Sequence, residues 1–310
     1  MIPSINKENA KLVLIDGHAI LHRAYHAVPP LTNKKGQQIN AVYGFVSMLL
    51  RIISDLKPTH LTVCFDRAEP TFRKKQFAAY QAQRPETAKE LSSQFAIAKD
   101  VAMAMNIPIF EKIGFEADDL LGSIAEGVQG KKVDEVIIVT GDRDILQLVD
   151  DKKNIEVYMP QKGLSEGKLY KEKEAHERMG VPAKLIPDYK ALVGDPSDNY
   201  PGVAGIGPKT AEKLLEKYDG IDHLYKHLKD IDPKVAKKLE DGKESAIMSH
   251  KLATIVTDVP IEFDVDKMSK WSVSSNKVLD VFNDLGFKSL AKRVEELGKK
   301  RVEENQLRLV

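Results

Sequence analysis

Cysteine is nearly absent from this 310-residue sequence: Cys64 stands alone, inside the apolar run HLTVCF. One thiol cannot close an internal disulfide, which excludes a cross-linked secreted scaffold and fits a reducing compartment. Cys64 reads as a small core residue. Long apolar runs are missing too, and none approaches the roughly 18 residues that a membrane helix needs. The opening stretch MIPSINKENA is polar and lacks the charged-then-apolar order of a secretory signal, so the expected location is cytoplasmic. Charge of one sign is also lacking. With 47 Lys and Arg against 46 Asp and Glu, the formal net charge is +1, so a polyanionic partner must be held by local patches rather than by the field of the whole chain. There is no internal repeat and no low-complexity block. What remains, 42% hydrophobic and 30% charged residues, is a globular composition. The length suits a large domain with a smaller appendage.

Three short apolar runs rich in β-branched residues each end in an acid: KLVLID (11–16), HLTVCFD (60–66) and EVIIVTGD (135–142). They are too short for helices and apolar on both faces, as buried parallel strands are. A weaker fourth run, IEVYMP, covers 155–160. Helical patterns lie between them: AVYGFVSMLLRIISDL, ELSSQFAIAKDVAMAMN and EADDLLGSIAEGV. This alternation predicts an α/β domain over residues 1–165, with a mainly parallel central sheet and flanking helices. A helical region is expected over 166–298, and residues 299–310 read as a frayed tail or linker.

In parallel sheets ligands gather outside the carboxyl ends of the strands, where Asp16, Asp66 and Asp142 fall. Any one of them reads equally well as a helix N-cap; three in one sheet favour a shared crevice. GFEADDLLGSIA adds Glu116, Asp118 and Asp119 at a helix start, where the helix dipole alone would also favour acids. Asp144 follows Asp142 by two residues, and Asp195 and Asp198 lie three apart. Carboxylates so gathered repel: two unit charges about 5 Å apart cost roughly 3 kcal/mol at an effective dielectric of about 20. Divalent cations relieve this, and an all-oxygen set selects hard ions such as Mg²⁺ or Mn²⁺. The surplus of ligands points to two ions about 4 Å apart, an arrangement suited to phosphodiester hydrolysis. His18, His22 and His26 share a helical spacing that would suit zinc, but no neighbouring carboxylate or cysteine completes the set.

Residues 67–89, RAEPTFRKKQFAAYQAQRPETAK, carry Arg67, Arg73, Lys74, Lys75, Arg84 and Lys89 with Phe72, Phe77 and Tyr80 interleaved. Cations for phosphates and aromatics for stacking suit single-stranded nucleic acid; a solvated helix face with its aromatics turned inward is the plainer alternative. In ALVGDPSDNYPGVAGIGPKTAEKLL (191–215), Gly202, Gly205 and Gly207 form a hairpin over 201–210, with Lys209 at the next helix start. Exposed N–H groups there grip a nucleic-acid backbone without reading bases. Acids and glycines can then serve one ligand, bridged by cations.

Taken in order, LIDGHAILHRAYHA, AVYGF, CFDRAEPTFR, FEADDLLG, VTGDRDILQLV and the 191–215 stretch resemble the 5′-nuclease (flap endonuclease) family over residues 10–298. Within it they are most similar to the N-terminal 5′–3′ exonuclease domains of bacterial DNA polymerases I and their free-standing relatives. The resemblance implies a PIN-like α/β nuclease core, a helical arch over 67–95 and a helix-hairpin-helix motif. It implies a structure-specific, monomeric nuclease acting on 5′ flaps, nicks, gaps and RNA-primed DNA in replication and repair, and leaving 5′-phosphate ends. A polymerase domain in cis or in trans is the implied partner. By the same resemblance Asp16, Asp66, Glu116, Asp118 and Asp119 surround one metal region, and Asp142, Asp144, Asp195 and Asp198 complete the other. Two Mg²⁺ or Mn²⁺ ions are implied there, and K⁺ at the glycine hairpin. Arg73, Tyr80 and Arg84 match catalytic or arch positions. Arg23, Lys74, Lys75, Lys209 and the hairpin glycines match contacts to DNA. The sequence departs from the family at Gln81, where Tyr-Lys is usual, at Tyr200 (usually aliphatic) and at His22 (often aromatic). Gln81 opens a second reading, a flap- or nick-binding module with weakened chemistry. The complete acid set argues against it, because a pure DNA binder gains nothing from repelling phosphate.

Overall fold

The computed structural model describes residues 9–161 and 166–307. A six-stranded sheet runs through it: β1 (Lys11–Asp16), β2 (His60–Cys64), β3 (Ile109–Phe110), β4 (Glu135–Val139), β5 (Ile155–Pro160) and β6 (Gly167–Tyr170). Their order is β3-β2-β1-β4-β5-β6, with every pair parallel except β5 and β6. The predicted strands are therefore present. β3 escaped notice because it is only two residues long, and β6 carries the sheet past the boundary expected at residue 165.

β1 shows why these runs do not alternate. Leu12 and Leu14 join one core with α5 (Ala117–Gly127), while Val13 and Ile15 join another with α1 (Gly17–Ala27) and α2 (Asn40–Leu56). Both faces are covered, so neither can be polar. Each fully buried aliphatic side chain contributes about 1.5–3 kcal/mol. Between α2 and α5 lie α3 (Phe72–Gln76) and α4 (Lys89–Ala104).

The remaining helices are α6 (Glu172–Met179), α7 (Ile186–Val193), α8 (Pro208–Tyr218), α9 (Ile221–Lys226), α10 (Pro233–Asp241), α11 (Lys243–Ala253), α12 (Val265–Met268), α13 (Asn276–Leu285) and α14 (Lys288–Leu307). Ala191, Leu192, Leu214 and Leu239 share the core of Leu12 and Leu14, so the helical half is built onto the sheet. The last helix spans the end of the expected helical region and part of the expected tail. α14 runs to Leu307 and buries Leu290 and Val294 against the α2 side, because its apolar residues recur at helical spacing. Among the described residues no helix is long and apolar enough to cross a membrane.

Helix in the segment 67–95 is confined to α3 and the start of α4. The segment holds only the five residues of α3 before a series of turns over 78–83 and an irregular stretch to Ala88. Pro85 disfavours helical geometry at Arg84, and the loop's polar groups are spent elsewhere. Gln81 N donates to Asp198 O at 2.9 Å, and Asn199 Nδ2 donates to Ala79 O at 2.7 Å. α7 and α8 enclose the glycine hairpin. Gly202 there has φ +64°, and a Cβ on it would lie 2.3 Å from Gly194 N, so no larger residue closes this turn.

Candidate active site

Asp16, at the end of β1, serves as both cap and site residue. It is 3% exposed; Oδ1 accepts Ala19 N at 2.9 Å and caps α1, while Oδ2 accepts the Thr140 hydroxyl at 2.6 Å. Burial pushes its pKa up to about 7 against these stabilising bonds. Asp66 accepts Ala117 N at 2.6 Å, and its other oxygen lies 3.4 Å from His18 Nδ1. Asp118 takes no hydrogen bond from the described residues. Burial, then the like charges of Asp142, Asp16, Asp66 and Glu116, push its carboxyl well above the usual range. Those four acids and Asp118 thus share one crevice. Glu116 is raised to about 7 by burial, which outweighs the adjacent Arg73.

A second acid group adjoins it. Carboxylate oxygens of Asp144, Asp195 and Asp198 lie within 4.8 Å of one another, a geometry able to hold a metal ion. In the metal-free protein two side-chain cations offset part of the charge of this group. The Lys190 ammonium, on α7 and 8% exposed, contacts Asp144 and sits 2.5 Å from Asp195 Oδ2. Arg84 NH2 lies 2.5 Å from Asp198 Oδ1. Burial raises Asp144 to about 6 even beside Lys190, whereas at Asp195 the Lys190 charge overcomes burial and holds the carboxyl low. Lys190 was not among the expected site residues. A lysine in the apolar stretch DYKALV five residues before Asp195 was the only hint.

Two expected site residues are corrected. Asp119 and Arg73 do not face the crevice but each other, at 0% and 2% exposure. Arg73 NH1 and NH2 form a bidentate pair with Asp119 at 2.7 and 2.8 Å. Asp119 also accepts Glu116 N at 3.0 Å and Val256 N at 2.9 Å, which fills both oxygens. Arg73 spends its other donors on Glu116 at 3.1 Å, Leu252 O at 2.9 Å and Thr254 O at 2.8 Å. The pair is a strut joining α3, α5 and the segment after α11. It leaves neither carboxylate oxygen for a metal nor N–H for a phosphate.

Tyr80 spans the two acid groups. Its hydroxyl lies 3.2 Å from Glu116 Oε2 and 3.3 Å from Asp198 Oδ2. Burial and both acids push its pKa up, so it remains a donor. Tyr80 and Tyr200 pack together with Leu252, which gives the unusual Tyr200 a structural partner. Gln81 adopts φ +54° and brings Nε2 to 3.4 Å from Asp198 Oδ1. Lys74 donates to Tyr80 O at 2.7 Å, so its ammonium braces the loop, while Lys75 is exposed. Arg23 reaches Gln161 O at 2.8 Å, beyond the end of β5. The histidines make no zinc stripe: His18 stacks on Phe95 and His22, with centroids 4.5 and 5.0 Å apart, and His26 meets Tyr25 edge-on. Burial, then the neighbouring histidines, lower His22 to about 4, so the stack is uncharged at neutral pH.

The raised acids set the pH response of the metal-free fold. Unfolded, these carboxyls titrate near pH 4, at about their ordinary values. Folded values of about 7 for Asp16 and Glu116 and about 6 for Asp144 mean that the native state retains protons the unfolded chain has released. The stability they contribute is therefore present below pH of about 4 and lost as pH rises through about 6 to 7. The melting temperature in chelator is expected to fall between pH 5 and 8, and added Mg²⁺ to restore it at pH 8. A chelated protein that melts no lower at pH 8 contradicts the shared crevice.

Solved structures share this fold. A bacteriophage T5 flap endonuclease pseudo-enzyme–product complex with DNA and metal ions aligns with TM-score 0.66 and 19% identity, over 92% of this chain and 97% of that one. T5 5′-exonuclease with bound zinc gives 0.65 at 21% identity, over the same shares. Flap endonuclease-1 from Methanococcus jannaschii gives 0.55 at 18% identity, over 96% and 94%.

The sequence goes further than the fold. Residues 11–180 match the 5′–3′ exonuclease N-terminal resolvase-like domain and residues 181–276 the 5′–3′ exonuclease C-terminal SAM fold, so the chain belongs to the 5′–3′ exonuclease family. DNA polymerase I of Bacillus subtilis is 40% identical over 93% of this chain and 33% of its own length. That of Caldicellulosiruptor bescii is 39% identical over 92% and 33%. The chain thus spans about a third of these relatives.

Proposed function

We propose that this chain is a structure-specific 5′–3′ exonuclease and flap endonuclease that hydrolyses phosphodiesters at 5′ flaps, nicks, gaps and RNA-primed ends. The observation that carries this reading is Asp118, a half-buried carboxylate that takes no hydrogen bond from the described residues and has four like charges around it. Such a group is relieved by holding a proton or by a cation that joins it, and a cation serves all five carboxylates at once. Asp16, Asp66, Glu116, Asp118 and Asp142 would hold one Mg²⁺ or Mn²⁺, and Asp144, Asp195 and Asp198 a second. When bound, divalent ions supply a deprotonated water and neutralise charge on the scissile phosphate.

The chain's own residues position and protect. Tyr80 holds Glu116 and Asp198 at a fixed separation. The Asp119–Arg73 strut fixes the start of α5, from which Glu116 and Asp118 project. Arg84 has a side chain 51% exposed over the second group and can turn to a phosphate once Asp198 is otherwise engaged. Arg23 and the exposed Lys75 would contact the incoming strand, and the hairpin glycines with Lys209 would hold the duplex. The location is taken to be the cytoplasm, and a polymerase domain as the partner, from the relatives' names and lengths.

Because Arg84 already supplies a cation beside Gln81, the weakened-catalysis reading has no observation behind it. Gln81→Lys is expected to leave single-turnover cleavage within about threefold, while Arg84→Ala lowers it about 10²–10³-fold. The reverse ranking would make the missing lysine decisive. The substrate class is tested by comparing a 5′-flap duplex, a blunt duplex and a simple phosphate monoester. Cutting confined to the flap and leaving a 5′-phosphate supports the reading, and preferential hydrolysis of the monoester overturns it.

A further inference from the structure

The glycine hairpin carries a cation of its own. Lys238, on α10, extends across it, and its Nζ donates to Gly205 O at 3.0 Å. The approach is close: a Cβ on Gly205 would lie 3.1 Å from both Cε and Nζ of Lys238, and Gly205 has φ +79°. The backbone thus favours glycine here, and a Cβ would press on the lysine arm above it.

An alkali ion on such a turn would need a ring of backbone carbonyls to replace its hydration shell. Four of the hairpin's carbonyls already have donors. Gly202 O accepts the Ser245 hydroxyl at 2.5 Å and Gly205 O accepts Lys238. Val203 O accepts Ile206 N at 3.1 Å, and Gly207 O accepts Thr210 N and Ala211 N, both at 3.0 Å. With these four carbonyls engaged and the Lys238 ammonium already on Gly205 O, the hairpin is a poor seat for the K⁺ that the family resemblance implies.

We propose that Lys238 is the hairpin's cation: its tethered ammonium takes the place of a monovalent metal and contacts the duplex backbone directly. Lys238 is exposed, and an ammonium has three donors, of which Gly205 O uses one. The others are free to meet a phosphate seated on the hairpin beside the N-terminus of α8. This proposal rests on reading the hairpin as the duplex-binding element.

The test is equilibrium binding of a nicked duplex and of a single strand, in Ca²⁺ to suppress cleavage. Potassium chloride is compared with N-methylglucamine chloride at equal ionic strength. The wild type is expected to bind the duplex within about twofold in the two salts. Lys238→Ala is expected to lose about tenfold for the duplex, to leave single-strand binding unchanged, and to reduce the salt slope by about one. Lys238→Arg should retain most of the affinity. A wild type that binds the duplex about tenfold more weakly without K⁺ would overturn the proposal, as would an alanine variant with unaltered affinity and slope. Either result leaves the nuclease reading standing. A wild type with no preference for duplex would remove the hairpin assignment itself.

Discussion

Asp119→Asn is expected to destabilise the protein severely, whereas Asp118→Asn, one residue away, is expected to leave it folded and inactive. Asp119 is fully buried and accepts two donors on each oxygen. An asparagine has one acceptor oxygen and one NH₂, so in either orientation the NH₂ faces two donors. It also leaves the five-fold bonded Arg73 guanidinium without its main counter-charge at 2% exposure. Breaking a buried pair from one side costs about 3–5 kcal/mol, a large part of a typical total of about 5–15 kcal/mol. Asp118 has no such partners, and its neutral amide relieves repulsion from Asp142, Asp16, Asp66 and Glu116. Its loss removes a ligand worth several kcal/mol of transition-state stabilisation, at least about 10³-fold in rate. Urea midpoints and single-turnover flap cleavage separate the two. An Asp119→Asn protein of wild-type stability that fails to cleave would make Asp119 a ligand after all.

Lys190→Met is the second large effect expected. In the metal-free protein the Lys190 ammonium is the counter-charge of Asp144 and Asp195, all three being largely buried. Its removal leaves two carboxylates facing each other beside Asp198, at a cost of about 3 kcal/mol or more in chelator. A divalent ion can replace the lost charge, so Mg²⁺ should recover the midpoint, with a gain that grows with its concentration. The wild type should gain less, since there the ion must displace an ammonium already in place. Equal stabilisation of both proteins by Mg²⁺ would mean that Lys190 and the ion do not compete for this pocket.

The contrast between Asp118 and Asp119 also shows where sequence reading stops. Acids at strand ends were legible because β1, β2 and β4 are buried on both faces, and charge appears only at the ends of each run. Successive residues on a helix point about 100° apart, so one of two adjacent aspartates must turn from the crevice. Which one turns depends on Arg73, 46 residues earlier, and on Val256, 137 residues later. Lys190 escaped for the same reason, since its partner Asp144 lies on a different element. How residues 67–95 lie was not legible, because Tyr80 and Arg84 bond to Asp198, more than 110 residues later. The hairpin glycines were plain in the sequence, but the lysine that crosses them comes from α10, 33 residues on.

The most direct measurement is cleavage of a 5′-labelled flap duplex in Mg²⁺, in Mn²⁺ and in chelator, beside binding of the same duplex in Ca²⁺. Cutting near the flap junction with either divalent ion and none in chelator is the result expected from two carboxylate groups built to hold metal. Tight, structure-selective binding with no cutting in Mg²⁺ or Mn²⁺ would contradict it, and would make the chain a recogniser of flaps rather than a nuclease.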